Sequence, residues 1–413
     1  MIESKAIPFY VVMGLVVAWY CSHAFGIRPL AQNYHTIKPA LVSWHNQTTP
    51  SPWYGHNIEL NSEGLVVSRP PVSWDLFVEL VILISGGLYY LQIETDRSKS
   101  RNVVLIIRAT GVSLGFVGMG IVLESLHSST TIVPANALLV WLGILMIFGR
   151  AILFLPVGKV RYLVPLALLF LLLHWTAMEY GFGDPETSKL NDDSLVETDS
   201  NDVIEPLSVW DYDSGIVDRV RGAINRILPM SVRNSGLGGD YVNYSAFNLV
   251  AYAGLYLIGM AVASLSLTEG NNLKLAGKLL VLSLSFWVAS LLVQGLGIPA
   301  VPRLASATHI LLAASLGCGL LMLSSILTSL KHLRSVLMPL TAMGTASALM
   351  YVLERTLGVA FRTEVDKHAE PFLEPLFGEA WLKWEPIVFY NLVFLIFSAA
   401  CIYCYRKRIH FRL

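Results

Sequence analysis

WDLFVELVILISGGLYYLQIETDRSKSRNVVLIIRATGVSLGFVGMGIVLE, residues 74–124, decides the fold. Two apolar runs, 74–93 and 103–124, flank a short connection that holds Arg97, Lys99 and Arg101. Each run approaches the roughly 20 residues that carry a helix across about 30 Å of hydrocarbon. Inside hydrocarbon every backbone amide must find its partner within the chain, so such runs are helices.

The same alternation extends in both directions. Further apolar stretches fall near 7–25, 136–156, 162–180, 245–266, 278–297, 305–329, 336–358 and 386–405. The expected fold class is therefore all-α, a polytopic transmembrane helical bundle of about ten spans. The run 7–25 is long for a signal-peptide core and lacks a small-x-small cleavage site, so it reads as a retained span. No low-complexity segment or linker divides the chain, and 1–413 reads as a single membrane domain. Composition agrees. Of 413 residues, 54% are hydrophobic and only 14% are charged, against about 25% charged in a soluble domain. Mean hydropathy is +0.58. The 29 basic and 29 acidic residues cancel, which excludes the basic surface of a nucleic-acid binder.

Lysine and arginine set the expected sidedness. They gather in alternate connections: Arg97, Lys99 and Arg101; Lys159 and Arg161; Lys274 and Lys278; Lys331 and Arg334; and the tail Arg406, Lys407, Arg408 and Arg412. The intervening connections include an acidic loop with Asp184, Glu186, Asp192, Asp193, Glu197, Asp199, Asp202 and Glu205. The basic set is expected in the cytoplasm, with both termini, and the expected location is the bacterial inner membrane. Three segments then face outward: 26–73, rich in Trp, His and Pro; 181–244; and 359–385. Within the second, Ile216, Val217, Val220, Ile224 and Ile227 recur at helical spacing between Ser214 and Leu228, as in an interfacial amphipathic helix. Trp381 and Trp384 in the third read as interface anchors. Asn46 and Asn243 open sequons, which matter only in a eukaryotic secretory pathway. Cys21, Cys318, Cys401 and Cys404 all lie in apolar stretches and read as small buried hydrophobes, not a disulfide framework or zinc site.

Ionisable groups inside spans are costly and point to function. Most here sit at the outer ends: His23, Asp75, Glu79, Glu124, His127, His174, Glu179 and His309. His35, His45 and His56 in the first outer segment can fold over them. Such a cleft offers carboxylates and imidazoles for acid–base chemistry; alternatively, span-end polar groups simply reach the headgroups. Arg150 lies deeper, beyond the centre of the fourth span, and needs a carboxylate, a carbonyl or a bound anion. A phosphate-bearing ligand from the cytoplasm and a structural helix–helix bond are the two readings. Arg108 is close enough to its end to snorkel, Glu354 and Arg355 can pair, and Asn248, Gln294 and Asn391 suit interhelical hydrogen bonds. Gly111, Gly115, Gly118 and Gly120 permit tight helix packing. Walker, HExxH, CxxCH and GxSxG patterns do not occur.

Several stretches carry a family likeness: SWDLFVELVILISGG (73–87), IVPANALLVWLGILMIFGRAILF (132–154), LLFLLLHWTAMEYG (168–181), VPRLASATHILLAASLGCGLLMLSSIL (301–327) and SVLMPLTAMGTASALMYVL (335–353). Their order resembles the heparan-α-glucosaminide N-acetyltransferase-like family of transmembrane acyltransferases, mainly in hydropathy and spacing. The resemblance implies transfer of an acetyl group from cytosolic acetyl-CoA to an extracytoplasmic carbohydrate. It also implies an outer histidine in a His-Ala-x-Trp-x-Gly-type motif before the second span. Here the corresponding loop reads SPWYGHNIEL, with Trp53, Gly55 and His56 in a different order. Asp75 matches the family's Asp-Leu position, but Val78-Glu79 stands where the family has Phe-Pro. On this reading His56 or His45 acts as base, Asp75 orients the histidine, and Arg150 lies near the donor phosphates. The departure from the histidine motif motivates a different reading, a non-catalytic subunit that binds partners in a larger membrane complex. A transporter is a third, which lacks the internal repeat usual for that class.

Overall fold

The computed structural model describes residues 2–22, 58–60, 66–68, 76–97, 102–125, 138–154, 160–180, 247–298, 300, 305–353 and 381–408, with isolated positions between 356 and 375. Nine of the ten apolar stretches coincide with one long helix each among these residues. They are α1 (Ile2–Ser22), α2 (Phe77–Arg97), α3 (Asn102–Ser125), α4 (Leu138–Phe154), α5 (Val160–Tyr180), α6 (Asn248–Thr268), α7 (Asn272–Gly295), α8 (Ala307–Ser329) and α11 (Trp381–Arg406). Five of them, α2, α5, α6, α7 and α8, are long and apolar enough to cross a membrane.

The remaining stretch, 336–358, departs from a continuous span. It is divided into α9 (Leu333–Val336), α10 (Met338–Thr345) and a further helical run at 347–353. Pro339 sits in the first turn of α10, where its missing N–H costs nothing and its fixed φ favours a helix start. Two of the segments expected outside also carry regular structure. Within 26–73, Ile58–Leu60 (β1) and Val66–Ser68 (β2) pair antiparallel, Glu59 opposite Val67. At the end of 359–385, Trp381 already begins α11.

The centre of the bundle is α2 against α6, with α5 on the other side of α6, α1 and α8 beside α2, and α4 touching both α2 and α6. The α2–α6 crossing depends on Gly259: a methyl there would collide with the Leu83 carbonyl. Tyr10 of α1 and Gly344 of α10 meet in the same way. Small residues at crossings let backbones approach without a side chain between them. The same expectation fails for much of α3. Gly120 meets Val140, but Gly111, Gly115 and Gly118 have nothing within 4 Å, so those three pack no described neighbour. Polar residues join helices elsewhere. Ser283 of α7 and Ser315 of α8 each donate a hydroxyl hydrogen bond to the other's carbonyl at 2.8 Å.

The exposed faces identify the solvent. On α7, Leu280, Val281, Leu284, Trp287, Val288, Leu291 and Leu292 are all exposed. Such a continuous apolar face is not tolerated in water on a monomer and is ordinary against lipid tails. One end of the bundle is fixed by polar contacts: Lys5 of α1 donates to the Glu269 carbonyl at 2.7 Å, and Lys278 pairs with the Glu269 carboxylate. The start of α1 therefore lies beside the basic α6–α7 connection. Cys318 and Cys401 are buried free thiols.

Candidate functional site

Three buried polar side chains meet near the N-terminal ends of α2, α6 and α8. Glu79 lies in the first turn of α2, where the exposed amides of a helix start favour negative charge. Tyr252 is one turn into α6, and His309 is two residues into α8. Glu79 and His309 are both 0% exposed. The Tyr252 hydroxyl donates to Glu79 Oε1 at 3.0 Å. His309 Nε2 lies 3.4 Å from the same oxygen. That contact is longer than a good hydrogen bond. Glu79 Oε2 and both His309 nitrogens have no hydrogen-bond partner among the described residues.

Local structure explains the placement of each group. His309 is aimed by the turn that starts α8. Ser306 caps the helix, its Oγ accepting the His309 N–H at 3.4 Å, and the Thr308 hydroxyl donates to the Ile298 carbonyl at 2.7 Å. The turn passes through Ala305 in the left-handed region, with φ of 47°. A residue with a Cβ held there stores strain of order 1–3 kcal/mol, a device that concentrates at functional sites. Tyr252 is held from its other side by Trp141, ring centroids 4.9 Å apart. A carboxylate within reach of an imidazole, with a phenol fixing the carboxylate, can orient the ring and exchange protons with a third group.

A second polar layer lies deeper. Arg150 of α4, Tyr89 of α2 and Tyr256 of α6 are buried together. Tyr89 is 10 residues beyond Glu79 on α2, roughly 15 Å of helical rise. The Tyr89 and Tyr256 rings are 6.3 Å apart. Arg150 is within electrostatic range of Tyr89, and its guanidinium carbon sits 5.0 Å above the Phe154 ring. Arg150 Nε and both tyrosine hydroxyls have no hydrogen-bond partner among the described residues. Tyr252 and Tyr256 are four residues apart on α6 and share a face.

Of the site residues expected from sequence, Arg150 is placed, and His45, His56 and Asp75 lie outside the described residues. So do His23, His35, His127, the acidic loop, the 214–228 stretch, both sequons and Glu354-Arg355, as do the side chains of Arg108, Glu124, Glu179 and Asn391. Within the outer group of ionisable residues, Glu79 and His309 come together. His174 instead stacks on Phe247 at 4.8 Å, interplanar angle 23°, with Nε2 unpartnered among the described residues. An apolar crevice lined by Met13, Val17, Val81, Leu142 and Tyr351 among others runs between α1, α2 and α4 and touches neither polar layer. The three tyrosines escape a reading of the sequence because an aromatic in an apolar run looks like core. The four-residue spacing of Tyr252 and Tyr256 is the one available signal. Glu79 is the position where the chain leaves the acyltransferase-like pattern, and it is the centre of the described site. Compared with known proteins, the chain matches no family profile, and no curated protein aligns with it significantly.

Proposed function

We propose that the chain is a membrane-embedded acyltransferase whose reacting centre is Glu79, Tyr252 and His309. The observation that carries this reading is the Glu79–His309 contact at 3.4 Å with both residues fully buried. An unused carboxylate and imidazole at that depth are costly to a bundle and retained where they handle protons. In the proposed reaction an acceptor hydroxyl or amine on an extracytoplasmic carbohydrate gives its proton to His309. The acceptor atom bonds to the acetyl carbonyl carbon, the carbon–sulfur bond breaks, and coenzyme A leaves as the thiolate. Glu79 balances the imidazolium, and Tyr252 fixes Glu79. Arg150 takes the donor side, towards the phosphates of cytosolic acetyl-CoA. On the acyltransferase resemblance, His45, His56 and Asp75 are further candidates for the acceptor side. Ten spans, cytoplasmic termini and a bacterial inner membrane complete the proposal.

The test is reconstitution in proteoliposomes with acetyl-CoA on one side and an amino sugar on the other. Acceptor-dependent release of coenzyme A is expected, reduced about a hundredfold or more in His309→Gln, the loss typical of a missing general base. Wild-type protein that binds no acetyl-CoA and releases none sinks the reading. A second reading, a non-catalytic subunit of a larger membrane complex, is favoured by the α3 face with three uncovered glycines. Purification in a stoichiometric complex, with no acetyl-CoA binding, would support it.

A further inference from the structure

We infer that Arg150, Tyr89 and Tyr256 form a binding site for the oxygens of a phosphate group. The site is built from three helices, α4, α2 and α6. Arg150 is 8% exposed, Tyr89 4% and Tyr256 0%. Each presents an atom that can donate a hydrogen bond and has no acceptor among the described residues: Arg150 Nε and the two phenol hydroxyls. A buried donor left without an acceptor costs about 1–3 kcal/mol, more when charged, and hydrocarbon supplies no water to relieve it. The three residues are neighbours, Arg150 within electrostatic range of Tyr89. The tyrosine rings are 6.3 Å apart. Arg150 follows Gly149, and a methyl at Gly149 would come 2.8 Å from the Tyr256 ring. Glycine at that position lets α4, which carries Arg150, approach α6 closely at Tyr256.

The chemistry of the donors selects the ligand class. A fixed cation rejects metal ions and amines. A donor-only guanidinium and two hydroxyls free to turn their hydrogens towards a ligand suit an oxyanion, which accepts only. Guanidinium matches phosphate in fork geometry. Depth narrows the class further. Arg150 is four residues from the end of α4, roughly 6 Å of helical rise, on the side of the basic connections. The phosphate of a lipid headgroup or of a soluble phosphate ester would reach the site from that end, roughly one helical turn away. In naming Arg150 the inference rests on the donor side of the reading above, but it requires no acyl transfer.

The experiment uses the full chain purified in neutral detergent. Native mass spectrometry counts retained phospholipid, and thermal unfolding is followed during titration with inorganic pyrophosphate. Retention of one phospholipid per chain assigns the site to a lipid headgroup. A rise in melting temperature with pyrophosphate assigns it to a soluble ligand. In either case Tyr89→Phe and Tyr256→Phe should each weaken binding about tenfold, the worth of one hydrogen bond to a charged group. Arg150→Met should abolish it. The phenylalanine variants remove only hydroxyls without described protein partners, so they are expected to fold as well as wild type even if Arg150→Met does not. No retained phospholipid and no pyrophosphate shift overturns the inference. So does binding that is unchanged in the double variant Tyr89→Phe/Tyr256→Phe. Phosphate binding without acyl transfer leaves this site standing and removes the enzyme reading. Acyl transfer without phosphate dependence at these residues does the reverse.

Discussion

A carboxylate and an imidazole in an apolar core are retained only where something offsets their desolvation. Removing one partner of a buried ionic pair usually costs stability, whereas replacing both partners by neutral groups is often neutral or stabilising. If the pair serves chemistry and not packing, Glu79→Gln/His309→Gln should lower transfer about a hundredfold or more while leaving the thermal midpoint unchanged or higher, as read in parallel assays on one preparation. A lower midpoint with full activity would make the pair structural. Ala305 gives a second expectation. Glycine adopts its φ of 47° without a Cβ penalty, so Ala305→Gly should stabilise the protein by up to about 1 kcal/mol, near the lower end of the strain range. If His309 depends on that turn for its aim, the same variant should lose activity. At this scale the sequence was partly legible. Glu79 and His309 stood out singly as ionisable groups in apolar runs. Their meeting was not readable, because it depends on how α2 and α8 are rotated against each other. Tyr252 was hidden among the aromatic residues that any buried helix carries.

The helices themselves were legible because hydrocarbon forces both their length and their composition. Nine long helices lie where apolar runs approach the thickness of a bilayer. The run at 336–358 is interrupted by a turn at Ala346, which hydropathy does not register. Pro339 stands in the first turn of α10, at the start of that run. Glycine spacing was equally ambiguous. It marks close crossings on α2, α6 and α10 but open surface on most of α3. This difference can be measured. Gly259→Ala forces a methyl against the Leu83 backbone and should cost about 1–3 kcal/mol, the usual penalty of overpacking. Gly115→Ala meets nothing within 4 Å and should gain up to about 1 kcal/mol from helix propensity. Unfolding in mixed detergent micelles compares the two directly. Equal effects at both positions would refute the assignment of α2–α6 as a tight crossing and of α3 as open.

For the molecule as a whole, lipid-facing α7 and the buried polar layers describe a bundle turned partly inside out relative to a soluble protein. The sidedness proposed from the basic connections has its own measurement. A membrane-impermeant maleimide should label Ser200→Cys in intact cells, in a background without native cysteines. Lys407→Cys should react only after permeabilisation. The Lys5–Glu269 contact already ties the start of α1 to one of those connections, so both should fall on one side. The claim on which the rest depends is that Glu79 and His309 act as one reacting unit. A double-mutant cycle on acetyl transfer tests it most directly. The account predicts that Glu79→Gln and His309→Gln each cost about a hundredfold or more and that the double variant is no worse than the poorer single one, as for groups acting together. Full activity in either single variant, or losses that multiply in the double, would contradict it.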